Sequence, residues 1–85
     1  WNDEGLKALS ARVVRAAPDD TNANLMRATV LSGNFGAWEV GLRSAAEVKK
    51  AAKYFDRSAA LCDAPAAKAE ITAAADWYRN YADAM

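Results

Sequence analysis

The sequence contains no histidine and only one cysteine among its 85 residues. Histidine is the commonest general base near neutral pH and a frequent metal ligand, so its absence argues against most acid–base and transition-metal chemistry. The single thiol, Cys62, cannot form an internal disulfide, and nothing therefore requires an oxidising compartment. Every apolar run is shorter than the roughly 18–20 residues of a membrane-spanning helix. These absences predict a chain that is not an enzyme, holds no cofactor or metal and does not span a membrane.

An excess of positive charge is also missing, because 11 Lys and Arg residues balance 11 Asp and Glu residues. Nucleic-acid binding depends on basic residues that neutralise phosphates, so the balance argues against a nucleic-acid partner. The densest basic group is Lys49, Lys50, Lys53 and Arg57, which would form one stripe on a helix. Such a stripe is commonly a solvated face, and a phosphate-binding surface is the alternative.

Large apolar side chains are scarce, since Leu, Ile, Val and Phe number 14 while alanine alone numbers 22. Alanine fits the close approach of packed helices and supplies little bulk for a core. The length allows one small domain, residues 1–85, in a size class of marginal stability. We therefore expect a small helical domain whose core is incomplete by itself.

Turn signals divide the first part of the chain into two helices. Apolar residues at helical spacing begin near residue 3 and stop before Pro18, and Gly33 stands where a second helix would end. Few residues separate the two segments. The pattern predicts an antiparallel helical hairpin over residues 3–33.

The second part of the chain repeats this plan after an aromatic-containing insert at residues 34–43. Ser44 and Glu47 form a Ser-x-x-Glu capping box, and Pro65 fits the first turn of another helix. We therefore predict an all-α fold with a second hairpin at 44–83. The positions expected to face the core include Leu6, Leu9 and Val13 in the first helix and Val48, Ala52, Phe55, Ala59 and Cys62 in the third.

An internal repeat relates the two hairpins. A shift of 47 residues places Ala17-Pro18 on Ala64-Pro65 and Ala28 on Ala75. The run Tyr54-Phe55, Ser58-Ala59-Ala60-Leu61 and Asp63-Ala64-Pro65, together with Arg27-Ala28, Leu31 and Gly33, resembles the tetratricopeptide repeat family. The shift is longer than the repeat length of that family, so the chain resembles a degenerate, tetratricopeptide-like unit rather than a member of the family.

The resemblance implies a scaffold of stacked hairpins that presents a concave surface to a partner and performs no catalysis. Such repeats need roughly three or more units to be stable alone, and this chain has about two. We therefore expect the core to be completed by other repeats, by a copy of the chain or by a larger assembly. Residues 43–70 also resemble tetratricopeptide-like proteins of unicellular algae, which implies an accessory subunit of an organellar or photosynthetic complex. An intracellular location, with a plastid or another organelle as the alternative, is expected.

Aromatic residues are the candidate partner-binding groups, because tryptophan is enriched where interfaces gain most of their affinity. Trp38 is either a cover for the small core or an anchor in a partner, and Trp77 either packs between the last two helices or contacts a partner. A chain that begins at Trp1 is expected to be processed or to be part of a longer protein. The candidates are Trp1, Phe35, Trp38, Trp77 and Tyr81.

These observations predict a non-enzymatic protein–protein interaction or scaffold module, an accessory subunit or a fragment of a larger assembly. The first alternative is a nucleic-acid-binding helical domain that uses the stripe from Lys49 to Arg57. The second is an enzyme that uses Cys62 as its nucleophile, although no neighbouring base is visible in the sequence. A buried, unreactive Cys62 is the expectation.

Overall fold

A computed structural model describes residues 2–33 and 43–85 of the chain. The four helices are α1 (Asp3–Ala16), α2 (Thr21–Ser32), α3 (Ala45–Leu61) and α4 (Pro65–Ala84). No strand is present in the described part of the chain, and the predicted all-α class is confirmed. Of the predicted insert at 34–43, only Arg43 belongs to the described residues.

Local capping explains where the helices begin. The side chains of Asn2 and Asp20 each accept a hydrogen bond from the backbone N–H three residues later. Ser44 and Glu47 form both arms of the predicted capping box, each at 3.1 Å. Pro65 occupies the first position of α4, where its missing N–H needs no partner. Each start therefore follows from residues within one turn of it.

Gly33 ends α2 in the left-handed conformation, with a φ of 77°. Glycine adopts this conformation readily because it has no Cβ. A Cβ built at this position would lie 3.0 Å from Cγ of Arg43. The end of α2 and the residue that precedes Ser44 are therefore in direct contact.

Contacts between helices show that α2 runs antiparallel to both α1 and α3. Against α1, the Arg27 guanidinium donates to the Lys7 carbonyl at 2.9 Å, while the earlier Asn24 reaches the Pro18 carbonyl. Against α3, the Ser58 hydroxyl donates to the carbonyl of residue 21, at the opposite end from Arg43. The first predicted hairpin is present, and α1 and α3 run parallel to each other.

The second hairpin is formed by α3 and α4. The rings of Phe55 and Tyr78 stack with centroids 5.5 Å apart, and Lys49 pairs with Asp83 at 3.4 Å. Because the earlier residue of α3 pairs with the later residue of α4, these helices are antiparallel. The predicted arrangement of two antiparallel hairpins is therefore the observed one.

The core contains the two alanines that the 47-residue shift superimposes. Ala28 and Ala75 are both fully buried, and they form one cluster with Phe55. The cluster joins α2, α3 and α4, which approach closely because two of its three buried members are a single methyl group. The close approach of helices at small side chains, which the alanine content predicts, therefore occurs at Ala28 and Ala75.

Two expectations about the core are wrong. In α1 the buried positions are Leu6, Ser10 and Val14, whereas Leu9 and Val13 are half-buried. The hydroxyl of Ser10 accepts a hydrogen bond from Arg27 at 3.0 Å. This bond satisfies a polar group at an inner position.

Cys62 is the second correction, because it is half-buried and not part of the core. The helix α3 ends at Leu61, and Cys62 has an extended backbone, with φ −84° and ψ 129°. The helical spacing that places Val48, Ala52, Phe55 and Ala59 inside therefore stops before residue 62.

Candidate functional site

A groove of about 780 Å³ lies between the parallel helices α1 and α3. Its apolar part is formed by Val14, Pro18, Ala46 and Tyr54, and its cationic residues are Arg15, Lys49, Lys50, Lys53 and Arg57. We call this surface the basic groove. It contains the four cations of the predicted stripe and adds Arg15 from the other helix.

Helix geometry explains why these residues meet. Steps of three and four residues place Ala46, Lys49, Lys50, Lys53 and Arg57 on one face of α3. Since α1 and α3 both pack antiparallel on α2, they lie side by side and their exposed faces form the two walls of the groove. The ammonium of Lys7 on α1, 2.9 Å from the carboxylate of Glu47 on α3, fixes their relative position.

The basic groove keeps part of its positive charge. Lys49 pairs with Asp83 at 3.4 Å, and Arg57 lies 4.0 Å from Asp19 while donating to the Pro18 carbonyl at 3.1 Å. Such exposed pairs are weak and exchange readily with other anions. Within residues 2–33 and 43–85, the other three cations, Arg15, Lys50 and Lys53, form no ion pair. The groove therefore presents cations complementary to carboxylate or phosphate groups, although the chain has no net charge.

Tyr54 lines the groove and also packs against the core cluster of Ala28, Phe55 and Ala75. The Arg27 guanidinium carbon lies 5.9 Å from the centroid of the Tyr54 ring. This separation is within the range of a cation–π contact. Arg27 is itself held by the Lys7 carbonyl and the Ser10 hydroxyl. The orientation of the floor is therefore supported by contacts with both α1 and α2.

A charged network ties α1 to the start of α3 beside the groove. The Arg43 guanidinium donates to both carboxylate oxygens of Asp3, at 2.6 and 2.9 Å, and also to the Val30 carbonyl. The Arg43 side chain is 5% exposed and that of Asp3 is 19% exposed, so this pair is largely shielded from water. Forty residues separate Arg43 from Asp3, and no local sequence signal links them.

Lys7 and Glu47 complete this network. The hydrogen bond to Glu47 raises the pKa of Lys7, and the same bond, with the backbone N–H of Ser44, lowers the pKa of Glu47. Both shifts favour the charged forms. The network holds helices together, and its groups are already paired with one another.

An aromatic surface lies on α4, away from the basic groove. Trp77 is 59% exposed and Tyr81 is 47% exposed, and their ring centroids are 5.3 Å apart. Trp77 also contacts the edge of Tyr78 at 4.8 Å. The interpretation that Trp77 packs between α3 and α4 is wrong, because its ring is exposed, contacts Tyr78 and Tyr81 of its own helix, and lines a shallow depression with Gly33 at the end of α2.

The role of Trp77 and Tyr81 in binding a partner stays a prediction. We call these two residues the aromatic surface. The other three candidates, Trp1, Phe35 and Trp38, lie outside the described residues.

The remaining chemical candidate is Cys62, whose thiol contacts the Ala64 carbonyl at 3.7 Å. In the described ranges, no group of three or more His, Cys, Asp or Glu residues could hold a metal ion. None of the helices described is both long enough and apolar enough to cross a bilayer.

The basic groove, with its five cations, and the aromatic surface, with its two exposed rings, are thus the two candidate sites. The tetratricopeptide-repeat resemblance stays a prediction. Comparisons of the chain with protein-family models, curated proteins and solved structures find no match.

Proposed function

We propose that this chain is a non-enzymatic protein-interaction module whose basic groove binds an acidic segment of a partner protein. One observation supports the proposal above the others. Arg15 of α1 joins the four cations of α3 around an apolar floor, so that charge and apolar surface occupy the same depression. A segment that mixes carboxylates with apolar side chains is complementary to both.

The dimensions of the groove fit a short peptide. From Ala46 to Arg57 the axis of α3 rises by about 17 Å. An extended chain advances about 3.3 Å per residue, so about five residues span that length. Alternating acidic and apolar residues in such a chain point to opposite sides. The apolar side chains would contact Tyr54 and Val14, while the carboxylates reach the surrounding cations.

Nucleic-acid binding through the same cations is the second candidate. The convergence of Arg15 with the stripe from Lys49 to Arg57 favours it. The balance of charge over the chain and the apolar floor favour a peptide. The two candidates differ in the ligand that should bind more tightly, an acidic peptide or a nucleic acid. One titration experiment can compare the two affinities.

The test uses two fluorescent pentapeptides, Asp-Leu-Asp-Leu-Asp and its uncharged counterpart Asn-Leu-Asn-Leu-Asn, titrated with the chain by fluorescence anisotropy. We expect the acidic peptide to bind at least tenfold more tightly. The double substitution Lys50→Glu and Lys53→Glu should weaken binding at least tenfold, because both residues are exposed cations of the groove. Lys68→Glu, an exposed cation on α4, is the matched control and should change binding less than twofold.

Two results would overturn the proposal. One is equal binding of the acidic and uncharged peptides. The other is tighter binding of a fluorescent ten-residue oligothymidylate than of the acidic peptide, with an affinity that falls steeply as salt rises. The second result would establish nucleic-acid binding by the groove in its place.

A further inference from the structure

The aromatic surface belongs to α4, which packs against α3 on one side and, among residues 2–33 and 43–85, is exposed on the other. The buried positions of α4 are Ala75 and Ala82, while Trp77 and Tyr81 are exposed and line a shallow depression with Ser32 and Gly33 at the end of α2. Monomeric proteins rarely leave large aromatic side chains together in water, and a cluster of them marks a contact surface.

Side-chain size along the open side of α4 is sharply divided. The first half exposes the alanines Ala66, Ala69 and Ala73, and the second half exposes Trp77 and Tyr81. Steps of three and four residues relate these positions, so they follow one side of the helix. One half of α4 is therefore a shallow surface of methyl groups, and the other half projects two large rings.

We propose that the open side of α4 pairs antiparallel with α4 of a second copy of this chain. A two-fold axis near residue 75 places the rings of one copy against the alanines of the other. Trp77 then lies opposite Ala73 of the second copy, and Tyr81 lies opposite Ala69. A parallel arrangement would instead place Trp77 against Trp77 and leave the alanines facing each other across a gap.

Polar residues agree with the same alignment. Glu70 and Asn80 are both exposed on α4 and lie at equal distances on either side of residue 75, as Ala73 and Trp77 do. In the antiparallel pair the Glu70 carboxylate therefore lies opposite the Asn80 amide of the second copy, which can donate to it. In a parallel pair each carboxylate would face its own copy, and like charges would repel.

The size of the contact predicts a weak dimer. The 20 residues of α4 extend about 30 Å, and paired helices lie about 8–10 Å apart. Burial of one side of each helix removes on the order of 1,000 Å² in total, the lower limit for a specific interface. We expect reversible association in the micromolar range, independent of the basic groove on the other helices.

Sedimentation velocity of the whole chain from 1 to 500 μM tests the proposal. We expect a monomer–dimer equilibrium that Ala73→Arg weakens at least tenfold, because the new side chain occupies the space that Trp77 of the second copy would fill. Thr72→Arg is the matched control, since it adds the same charge at an adjacent exposed position of α4, and it should change the dissociation constant less than twofold. Far-UV circular dichroism should show equal helix content for all three proteins.

Orientation is measured with the single thiol of the chain. A nitroxide on Cys62 of each copy should give an electron–electron distance of about 40 Å, because the two labels lie at opposite ends of the antiparallel pair. A monomer throughout the concentration range, an undiminished dimer for Ala73→Arg, or a distance below about 20 Å would each overturn the proposal. These measurements involve no residue of the basic groove, so their outcome is separate from that of the peptide titration.

Discussion

Replacement of Arg43 by methionine tests whether the shielded charge network holds α1 in place. The substitution removes two charge-assisted hydrogen bonds to Asp3 and those to the Val30 carbonyl, while methionine retains most of the aliphatic volume. Asp3 is 19% exposed and keeps Lys7 as a partner at 3.7 Å. In the variant the Asp3 carboxylate is therefore partly exposed to water and still has one cationic partner.

The expected cost follows from these contacts. Loss of one partner from a fully buried pair costs about 3–5 kcal/mol, and the partial exposure of Asp3 reduces this to about 2–3 kcal/mol. A domain of this length has a free energy of unfolding of about 4–13 kcal/mol. The melting temperature should accordingly fall by about 10–20 °C, at about 4–8 °C for each kcal/mol.

Urea denaturation followed by circular dichroism at 222 nm measures this loss. Arg79→Met is the control, because Arg79 pairs with Asp56 and Asp76 at an exposed site on α4, and it should lower the midpoint far less. A double-mutant cycle with Asp3→Asn should give a coupling free energy of at least about 1 kcal/mol. The reasoning is refuted if Arg43→Met unfolds within about 0.5 kcal/mol of the parent protein, the usual range of surface substitutions.

Three further predictions concern the core, the end of α2 and pH. Phe55→Ala should destabilise the chain by about 3–4 kcal/mol in the same assay, since Phe55 joins three helices and stacks on Tyr78. A loss under about 1 kcal/mol would contradict that role. Gly33→Ala should cost about 1–2 kcal/mol, because alanine is strained in the left-handed conformation. Gly33 has that conformation, with a φ of 77°, whereas Gly5→Ala within α1 should stabilise the chain; equal effects would argue against the strain. The lowered pKa of Glu47 adds stability that is complete above its unfolded value near 4.5 and is lost as pH falls through the folded pKa. The raised pKa of Lys7 adds stability that is complete below about 10.5 and is lost as pH rises. Lys7→Met should therefore weaken the dependence of the urea midpoint on pH at both the acidic and the basic end. An unchanged pH dependence would show that ionisation of the pair does not couple to folding.

Local sequence signals account for the parts of the fold that depend on neighbouring residues. Ser44 and Glu47 act within a single turn, so their capping roles can be predicted without knowledge of packing. The internal repeat makes Ala28 and Ala75 candidates for close contact, and the structure buries both. Each of these predictions needs only spacing along one or two helices.

The residues that sequence reasoning misses depend on which helices lie side by side. Arg15 belongs to the basic groove only because α1 and α3 both pack on α2 in the same direction. Arg43 contacts Asp3, forty residues earlier in the chain, because the same packing places the starts of α1 and α3 side by side. Helical spacing misplaces Cys62 because α3 ends one residue before it. Spacing also misplaces Trp77, since it identifies a buried side of α4 but not how far a neighbouring position turns away from it.

The contact between Gly33 and Arg43 has a consequence for how this chain can vary in length. Gly33 and Arg43 are the two ends of the connection between the hairpins, and they are in contact. A longer connection would therefore span the same short distance. The entropy of loop closure grows slowly under that condition, and each doubling of the number of residues costs only about 0.6 kcal/mol. We therefore expect residues inserted after Gly33 to cost little stability, because the separation of Gly33 and Arg43 need not change.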